Sequence, residues 1–418
     1  MTSASDRPTA PATHPASNPG TRPIPSMDEM RQRIAAMVPI VKARAQRTEQ
    51  ERRISAEIAK MLQETQVARL MQPSRFGGFE YGFTEMVDLV GDIGRGCCSS
   101  AWFLGLMMVH QWMLGTFPLE VQEEVLAEDI NMIIAGSYAP ACQAVEVPGG
   151  FKIKGRWSFA SGCDNAGWSL FGVMFPPIEE NGGKAAPGFL ILPRRDYEIE
   201  DNWFTVGLSG TGSKNMLIRE DVFVPRHRML TFPQLSSNNP PGAKANPSPL
   251  YRIPFLAAVP VSIAFPALGA LKGAIEDFIE MTSGRITRGA VAGGGLKMAE
   301  FQTIQLRLAE AEACLDAATL LLKRDISEAQ ATVAKGAQVD VATRIRNRLD
   351  HAFALKLARQ GIDALYESVG GPGLQLDTSV QRAWRDIHAV SKHFTFGWDG
   401  VGSMYGQHRL GLEPRGQY

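Results

Sequence analysis

Two histidines, His388 and His393, stand in one short aromatic-rich stretch, Arg385-Asp-Ile-His388-Ala-Val-Ser-Lys-His393-Phe-Thr-Phe-Gly397. Imidazole titrates near ~6.5, so such a ring can take a proton from a weak acid such as a phenol near neutral pH. On an unbroken helix this spacing turns the two side chains apart by roughly 140°. Only one then faces a given partner unless the helix ends between them. A second run with chemical potential is Gly155-Arg-Trp157-Ser-Phe-Ala-Ser161-Gly162. A tryptophan can pack against a flat heteroaromatic ring while a serine hydroxyl bonds the ring's polar edge. The plainer reading is a hairpin with a core tryptophan. His110 closes the apolar run 101–109, among Trp102, Phe103, Met107, Met108 and Trp112. These residues can wall a dry pocket, or can simply be core. Of the remaining histidines, His14 lies near the N-terminus and His227, His351 and His408 read as solvated.

Elements must position these residues. Ile34, Met37, Val38 and Val41 recur at three and four, as do Ile54, Ile58, Met61 and Leu62, which predicts helices. Pro73 ends the second stripe, and Arg75-Phe-Gly-Gly78 is a turn. Further helices are expected from Phe83 through Ile93 and, after Pro118, over 119–128. Near Asn131 the pattern changes. Phe151 and Ile153 alternate with Lys152 and Lys154, and strand-like runs follow at 170–175, 188–192, 214–218 and 221–224. Ser137 stands near the start of this part. A Pro/Asn/Ser-rich loop spans 233–249. The helical period returns from Pro254, clearest in Phe301, Ile304, Leu308, Ala311, Cys314, Leu315 and Ala318, and again in Leu349, Phe353, Leu357 and Ile362. A glycine-rich break lies at 284–295. The expected organisation is a disordered tail (1–25), an α-helical domain (26–130), a β domain (131–245) and a helical bundle (246–418).

A chain of 418 residues, 44% hydrophobic and 21% charged, can form two or three domains with large cores. Lys+Arg and Asp+Glu both number 43. This balance offers nothing to nucleic acid or an anionic membrane. No apolar run is read as reaching the roughly 18 residues of a membrane span. The five cysteines lack C-x-x-C spacing, so neither a disulfide framework nor a metal site is suggested and a reducing, cytoplasmic compartment is expected. No G-x-G-x-x-G run follows a strand and opens a helix, so no nicotinamide site is expected.

The ordered landmarks resemble the acyl-CoA dehydrogenase superfamily over about residues 30–415. Arg75-Phe-Gly-Gly78 resembles its P-x-x-(F/Y)-G-G turn, and Trp157 with Ser161-Gly162 its G-x-x-W-x-x-(S/T)-(N/G) run, with one extra residue before the serine. Leu208-Ser-Gly-Thr211-Gly-Ser213 followed by Asp221-Val-Phe-Val-Pro225 resembles its G-x-x-G-(T/S)-G-S and V-x-V-P pair. Phe301-Gln302 with Leu308-Ala309-Glu310 resembles its F-Q…L-A-(D/E) helix. Arg385-Asp386 after Gly370-Gly371-Pro-Gly373 resembles its C-terminal signature. In the dehydrogenases a glutamate follows that signature and removes a carbon-bound proton. Here the register reads His393-Phe394.

With that carboxylate replaced by imidazole, the chain resembles the oxygenase components of two-component flavin-dependent monooxygenases, such as 4-hydroxyphenylacetate 3-hydroxylase and related phenol and steroid hydroxylases. The resemblance implies an α+β fold with an N-terminal helical domain, a central β-barrel domain, a C-terminal four-helix bundle and a homotetramer. It implies hydroxylation of a small aromatic substrate by reduced FMN or reduced FAD and O2 through a flavin C4a-hydroperoxide, with flavin supplied by a separate NAD(P)H:flavin reductase. It places Ser161 beside flavin N5, His393 or His388 as base, His110 with Trp112 and Ser137 toward the substrate, and Trp157 and Ser137 against the flavin. Gln302, Gly370 and Gly371 would bind the flavin, and either Arg285 or Arg288 its phosphate. The alternatives are an acyl-CoA dehydrogenase or oxidase with a relocated base, and a non-catalytic flavin-binding member of the fold.

Overall fold

The computed structural model describes residues 23–286 and 295–418. Its N-terminal part is helical: α1 (Met27–Glu51), α2 (Ala56–Glu64), α3 (Phe83–Gly94), α4 (Cys98–Thr116) and α5 (Leu119–Glu128). Ser26 starts α1 by a capping box with Glu29, which satisfies two otherwise unpaired amides. In α4 every residue but Leu106 is buried. A helix that is apolar all round belongs in the middle of a protein, and α4 runs beneath the candidate site.

Eight strands follow: β1 (Ile134–Ser137), β2 (Val145–Val147), β3 (Gly150–Ala160), β4 (Trp168–Phe175), β5 (Ala186–Pro193), β6 (Glu198–Glu200), β7 (Lys214–Pro225) and β8 (Met229–Thr231). They form two four-stranded sheets, ordered β1-β4-β5-β8 and β2-β3-β7-β6. Among the described residues no barrel closes, which corrects the expected β-barrel. Among the described strands only β1 and β4 pair in parallel. The runs expected at 214–218 and 221–224 are one strand, β7. Its pairing with β3 shifts register after Ile153 and again after Trp157.

The C-terminal part has α6 (Phe232–Ser236), α7 (Phe255–Ser283), α8 (Gln302–Ala334), α9 (Val341–Tyr366), α10 (Ser379–Val390) and α11 (Trp398–Arg409). Helices α8, α9 and α10 each pack on α7, α9 also on α8 and α10, α7 also against α3 and α4, and α11 on α9. Helix α7 corrects the expectation about apolar runs. By length and composition it could cross a membrane, yet 94% of its most apolar window is buried inside the protein, as befits a core helix. Its glycines permit close crossing: a Cβ on Gly94 of α3 would stand 2.8 Å from the Cα of Gly269.

Candidate active site

Helix α10 ends at Val390, between the two histidines. That break decides where each one points. His388 is in the last turn, with Nε2 2.8 Å from Asp363 Oδ1 on α9. Its ring lies 4.7 Å from that of Trp384. Trp384 also donates to Asp363 (2.7 Å) and stacks on Tyr366. His388 is therefore held by α9. His393 lies beyond the helix, in extended conformation, and caps the 3-10 turn Phe394–Phe396. Its ring meets Trp102 of α4 edge-on at 5.8 Å.

Trp102 joins His393 to Ser161. The indole N–H donates to Ser161 Oγ at 3.1 Å. Ser161 Oγ lies 2.6 Å from Ser213 Oγ, which lies 2.7 Å from Thr211 Oγ1. Thr211 donates to the Leu208 carbonyl (2.8 Å), and the Leu208 amide donates to Asp386 on α10 at 2.7 Å. Leu208 holds φ 54°, a left-handed conformation uncommon for a branched side chain, and the Asp386 bond helps hold it. Gly162 follows Ser161 at φ +74°, where a Cβ would fall 2.7 Å from the Phe103 ring. Four stretches distant in sequence thus converge: α4, the β3–β4 turn, the 208–213 loop and the end of α10.

The imidazole in this cluster is neutral. Burial pushes the His393 imidazole down to about 4, and the Arg348 charge acts in the same direction, so the ring is uncharged at pH 7. The Thr395 amide donates to His393 Nδ1 at 3.3 Å. The neutral ring in that arrangement carries its proton on Nε2. It can donate to a phenolate oxygen as it stands. To accept a phenolic proton at Nε2 it must first shift its own proton to Nδ1 and release Thr395. Burial raises Asp386 to about 6.

The predicted substrate end is closed upon itself. His110 Nδ1 bonds the Ile134 carbonyl, and Nε2 lies 2.7 Å from the Tyr138 hydroxyl. Both nitrogens are occupied, the ring is buried, and desolvation pushes it to about 4. Ser137, also buried, donates to the Ser158 carbonyl at 2.6 Å and so ties β1 to β3. Trp112 is a core residue rather than a pocket wall: fully buried, it bonds the Leu250 carbonyl and packs on Phe83.

Trp157 requires a similar correction. It is fully buried, donates to the Gly172 carbonyl at 2.7 Å and packs edge-on against Phe171. No face of it is free for a ligand. The aromatic that faces outward is Phe159, 69% exposed, at φ +66°. The register shift after Trp157 explains it. Three residues of β3, from 158 to Ala160, advance against two of β7, from 215 to Lys214 in the antiparallel sense. The extra residue seen before the serine is this bulge, which turns Phe159 out of the sheet.

Arg285 donates to the Val369 carbonyl at 2.9 Å, beside Gly370, which has φ +66°. Gly370, Gly371 and Gln302 are exposed. The structure thus brings Arg285 to the glycine turn. Arg288 lies outside the described residues, as do His14 and most of the expected tail. His351, expected to be solvated, is fully buried on α9, with neither ring nitrogen bonded. The arginine one turn earlier, Arg348, is buried too. Arginines nearby in sequence therefore did not signal solvent. The sequence reading gave no site role to Tyr138, Phe159, Thr211, Ser213 or Asp386. Thr211, Ser213 and Asp386 lay in motifs already noted; Tyr138 and Phe159 carried no separate signal.

The donor set suits an uncharged planar ring with polar edges: an indole N–H, hydroxyls and neutral imidazole beside aromatic side chains. The comparisons with known proteins agree with that class. The model of the acyl-CoA dehydrogenase C-terminal domain matches residues 261–398. The chain is 42% identical over 391 residues to the oxygenase component of FADH(2)-dependent resorcinol hydroxylase from Rhizobium sp. (strain MTP-10005), covering 92% of this chain and 95% of that one. It is 37% identical to the flavin-dependent monooxygenase oxygenase subunit HsaA from Rhodococcus jostii (strain RHA1), over 91% of this chain and 98% of that one. The crystal structure of 3-HSA hydroxylase from Rhodococcus sp. RHA1 superposes with a TM-score of 0.86 at 36% identity, covering 93% and 98% of the two chains. The fold is that of the acyl-CoA dehydrogenases. Within it, the chain belongs to the flavin-dependent monooxygenases, in the branch of their oxygenase components.

Proposed function

We propose that this oxygenase component hydroxylates a small phenolic substrate, with His393 as the group at the phenolic oxygen and Ser161 at the flavin ring. Bound reduced flavin, FMN or FAD, supplies the electrons that activate O2. The single observation that carries the reading is the convergence of His393, Trp102 and Ser161 from three separate segments.

Each residue has its own task. His393 is neutral, so its ring can serve a phenolic oxygen without a competing positive charge. In its resting tautomer Nε2–H stabilises a phenolate. After tautomer exchange Nε2 receives the phenolic proton. Trp102 holds His393 and Ser161 at a set separation. Phe103 and Trp102 keep the neighbourhood dry, which strengthens each of these hydrogen bonds. His388 is set aside as a base because Asp363 and Trp384 engage it on the α9 side. Ser137 and the His110–Tyr138 pair border the substrate's far end, and Phe159 offers an apolar face to the flavin. Arg285, Gln302, Gly370 and Gly371 form the phosphate-binding edge. The division at 26–130, 131–245 and 246–418 corresponds to floor, flavin-facing sheets and bundle.

Exposed Leu306 and Leu320 on α8, with Val341 and Phe353 on α9, support assembly of a homotetramer through the bundle. The partner reductase diffuses in the same compartment, the cytoplasm. The test is turnover. With NADH, oxidised flavin and a panel of phenols, the protein alone should form nothing. Adding a flavin reductase should yield a product heavier by one oxygen atom. Product formed without the reductase would overturn the two-component reading.

A further inference from the structure

The hydroxyls next to Ser161 form a chain whose direction can be worked out. A carbonyl oxygen only accepts, so the Thr211 hydroxyl proton goes to the Leu208 carbonyl at 2.8 Å. Thr211 then has no proton for Ser213, and the 2.7 Å contact between them requires Ser213 to donate. Ser213 in turn has none left for Ser161, so across their 2.6 Å contact Ser161 donates. On its other side Ser161 accepts from Trp102, because an indole nitrogen only donates. All three hydroxyl-bearing residues are buried, at 1–8% exposure, so water does not readily scramble this order.

We infer that Thr211 and Ser213 hold the Ser161 hydroxyl as a pure acceptor toward its ligand, and that the site thereby selects the reduced flavin ring over the oxidised one. The inference rests on the proposal that Ser161 meets the central ring of the flavin. The chemistry of that ring differs between its redox states at one nitrogen. In the reduced ring N5 carries a proton and donates. In the oxidised ring N5 has only a lone pair and accepts. An acceptor-only Ser161 bonds the first and sets lone pair against lone pair with the second. An enzyme that takes reduced flavin from solution, where oxidised flavin competes, gains discrimination from such a group. Specificity arises by rejecting the competitor as well as by binding the ligand. Thr211 and Ser213 are positioning residues here: Ser213 touches Ser161 and Thr211 acts through Ser213.

The test is anaerobic equilibrium binding of reduced and of oxidised flavin to the full chain, measured without substrate or turnover. Wild type should bind the reduced form more tightly. Ser213→Ala frees the Ser161 proton to rotate toward N5, so the ratio of the two dissociation constants should shrink roughly five- to tenfold, mostly through tighter binding of oxidised flavin. Thr211→Val, which breaks the chain one link earlier, should act in the same direction and less strongly. Ser213→Thr keeps a hydroxyl and should restore the ratio. In a Ser161→Ala background the Ser213→Ala change should leave the ratio where it stands. A general loosening of the fold weakens both redox forms alike and leaves the ratio unmoved, so an unchanged ratio in Ser213→Ala overturns the orientation of Ser161 while leaving the flavin reading intact. Wild type binding neither redox form would overturn both.

Discussion

His110 and His393 are both largely removed from water, and desolvation pushes both imidazoles down to about 4. Their surroundings differ in where the hydrogen bonds end. Around His110 every valence closes within the protein: one nitrogen on the Ile134 carbonyl, the other on Tyr138. Around His393 the ring has one bond, from the Thr395 amide, and otherwise only aromatic edges. The Ser161 network beside it keeps one acceptor site open. A displaced pKa therefore does not by itself mark a catalyst. What separates the two regions is a hydrogen-bonding atom that the protein itself leaves unspent.

The largest effect expected from this contrast is at His393. His393→Gln keeps a donor but cannot take a proton, and product formation should fall about 10²–10⁴-fold if proton transfer is the task, roughly 3–5 kcal/mol of barrier. Peroxide release should rise as product falls, and high pH, which ionises the phenol, should restore part of the rate. If His393→Gln stays within tenfold of wild type, the ring acts as a donor to phenolate and not as the base. The same substitution at His388 should leave the product-to-peroxide ratio unchanged. Should His388→Gln uncouple the enzyme instead, the assignment belongs to the other end of α10.

A second effect concerns the loop that carries Ser213. Asp386 is buried and its folded-state pKa is raised to about 6. An acid whose pKa is raised on folding binds more protons in the native state, so stability should decline as pH rises from about 4 to 6. Asn can still accept from the Leu208 amide. Asp386→Asn should therefore gain on wild type across that window, by up to about 2–3 kcal/mol. Thermal melts of both proteins at pH 4 and pH 6.5 measure it. A constant difference between them would show that Asp386 does not pay this desolvation cost.

A smaller effect belongs to the closed region. Tyr138→Phe leaves buried His110 Nε2 without a partner and should cost about 1–3 kcal/mol of stability in denaturant titration. Coupling of oxygen use to product should hold. Strong uncoupling in Tyr138→Phe would break the comparison and move the His110 pair into the reacting site. Smallest of all in stability is Phe159→Ala, within about 0.5 kcal/mol because the side chain is exposed. Flavin binding should nevertheless weaken. Trp157→Phe should do the reverse, lowering stability through the lost Gly172 bond while flavin affinity holds.

Much of this was legible in the chain itself. Periodicity located α1, α2, α8 and α9, because a helix with one buried face repeats its apolar residues in register with its turn. The order of short landmarks, from Arg75-Phe-Gly-Gly78 to Arg385-Asp386, carried the family. Residue chemistry drew attention to Ser161 and to the pair His388 and His393, and the resemblance, through the register of the lost glutamate, favoured His393. A helical period was expected from Pro254, but the length of the apolar run in α7 was not, because Pro260, Pro266 and its glycines look like breaks. In tertiary context those prolines fall within a continuous helix wrapped on several sides. Only the folded molecule shows how the surroundings of His388 and His393 differ, since α10 ends at Val390 and Asp363 reaches across from α9 to His388. Only it could exchange Trp157 for Phe159. A strand's side chains alternate, so one bulged residue reverses which aromatic faces inward, and no spacing rule reveals where a bulge falls. The direction of the Thr211–Ser213–Ser161 chain likewise depends on which carbonyl and which indole lie at its two ends. Composition and local pattern are properties of neighbours along the chain; hydrogen-bond direction is a property of neighbours in space.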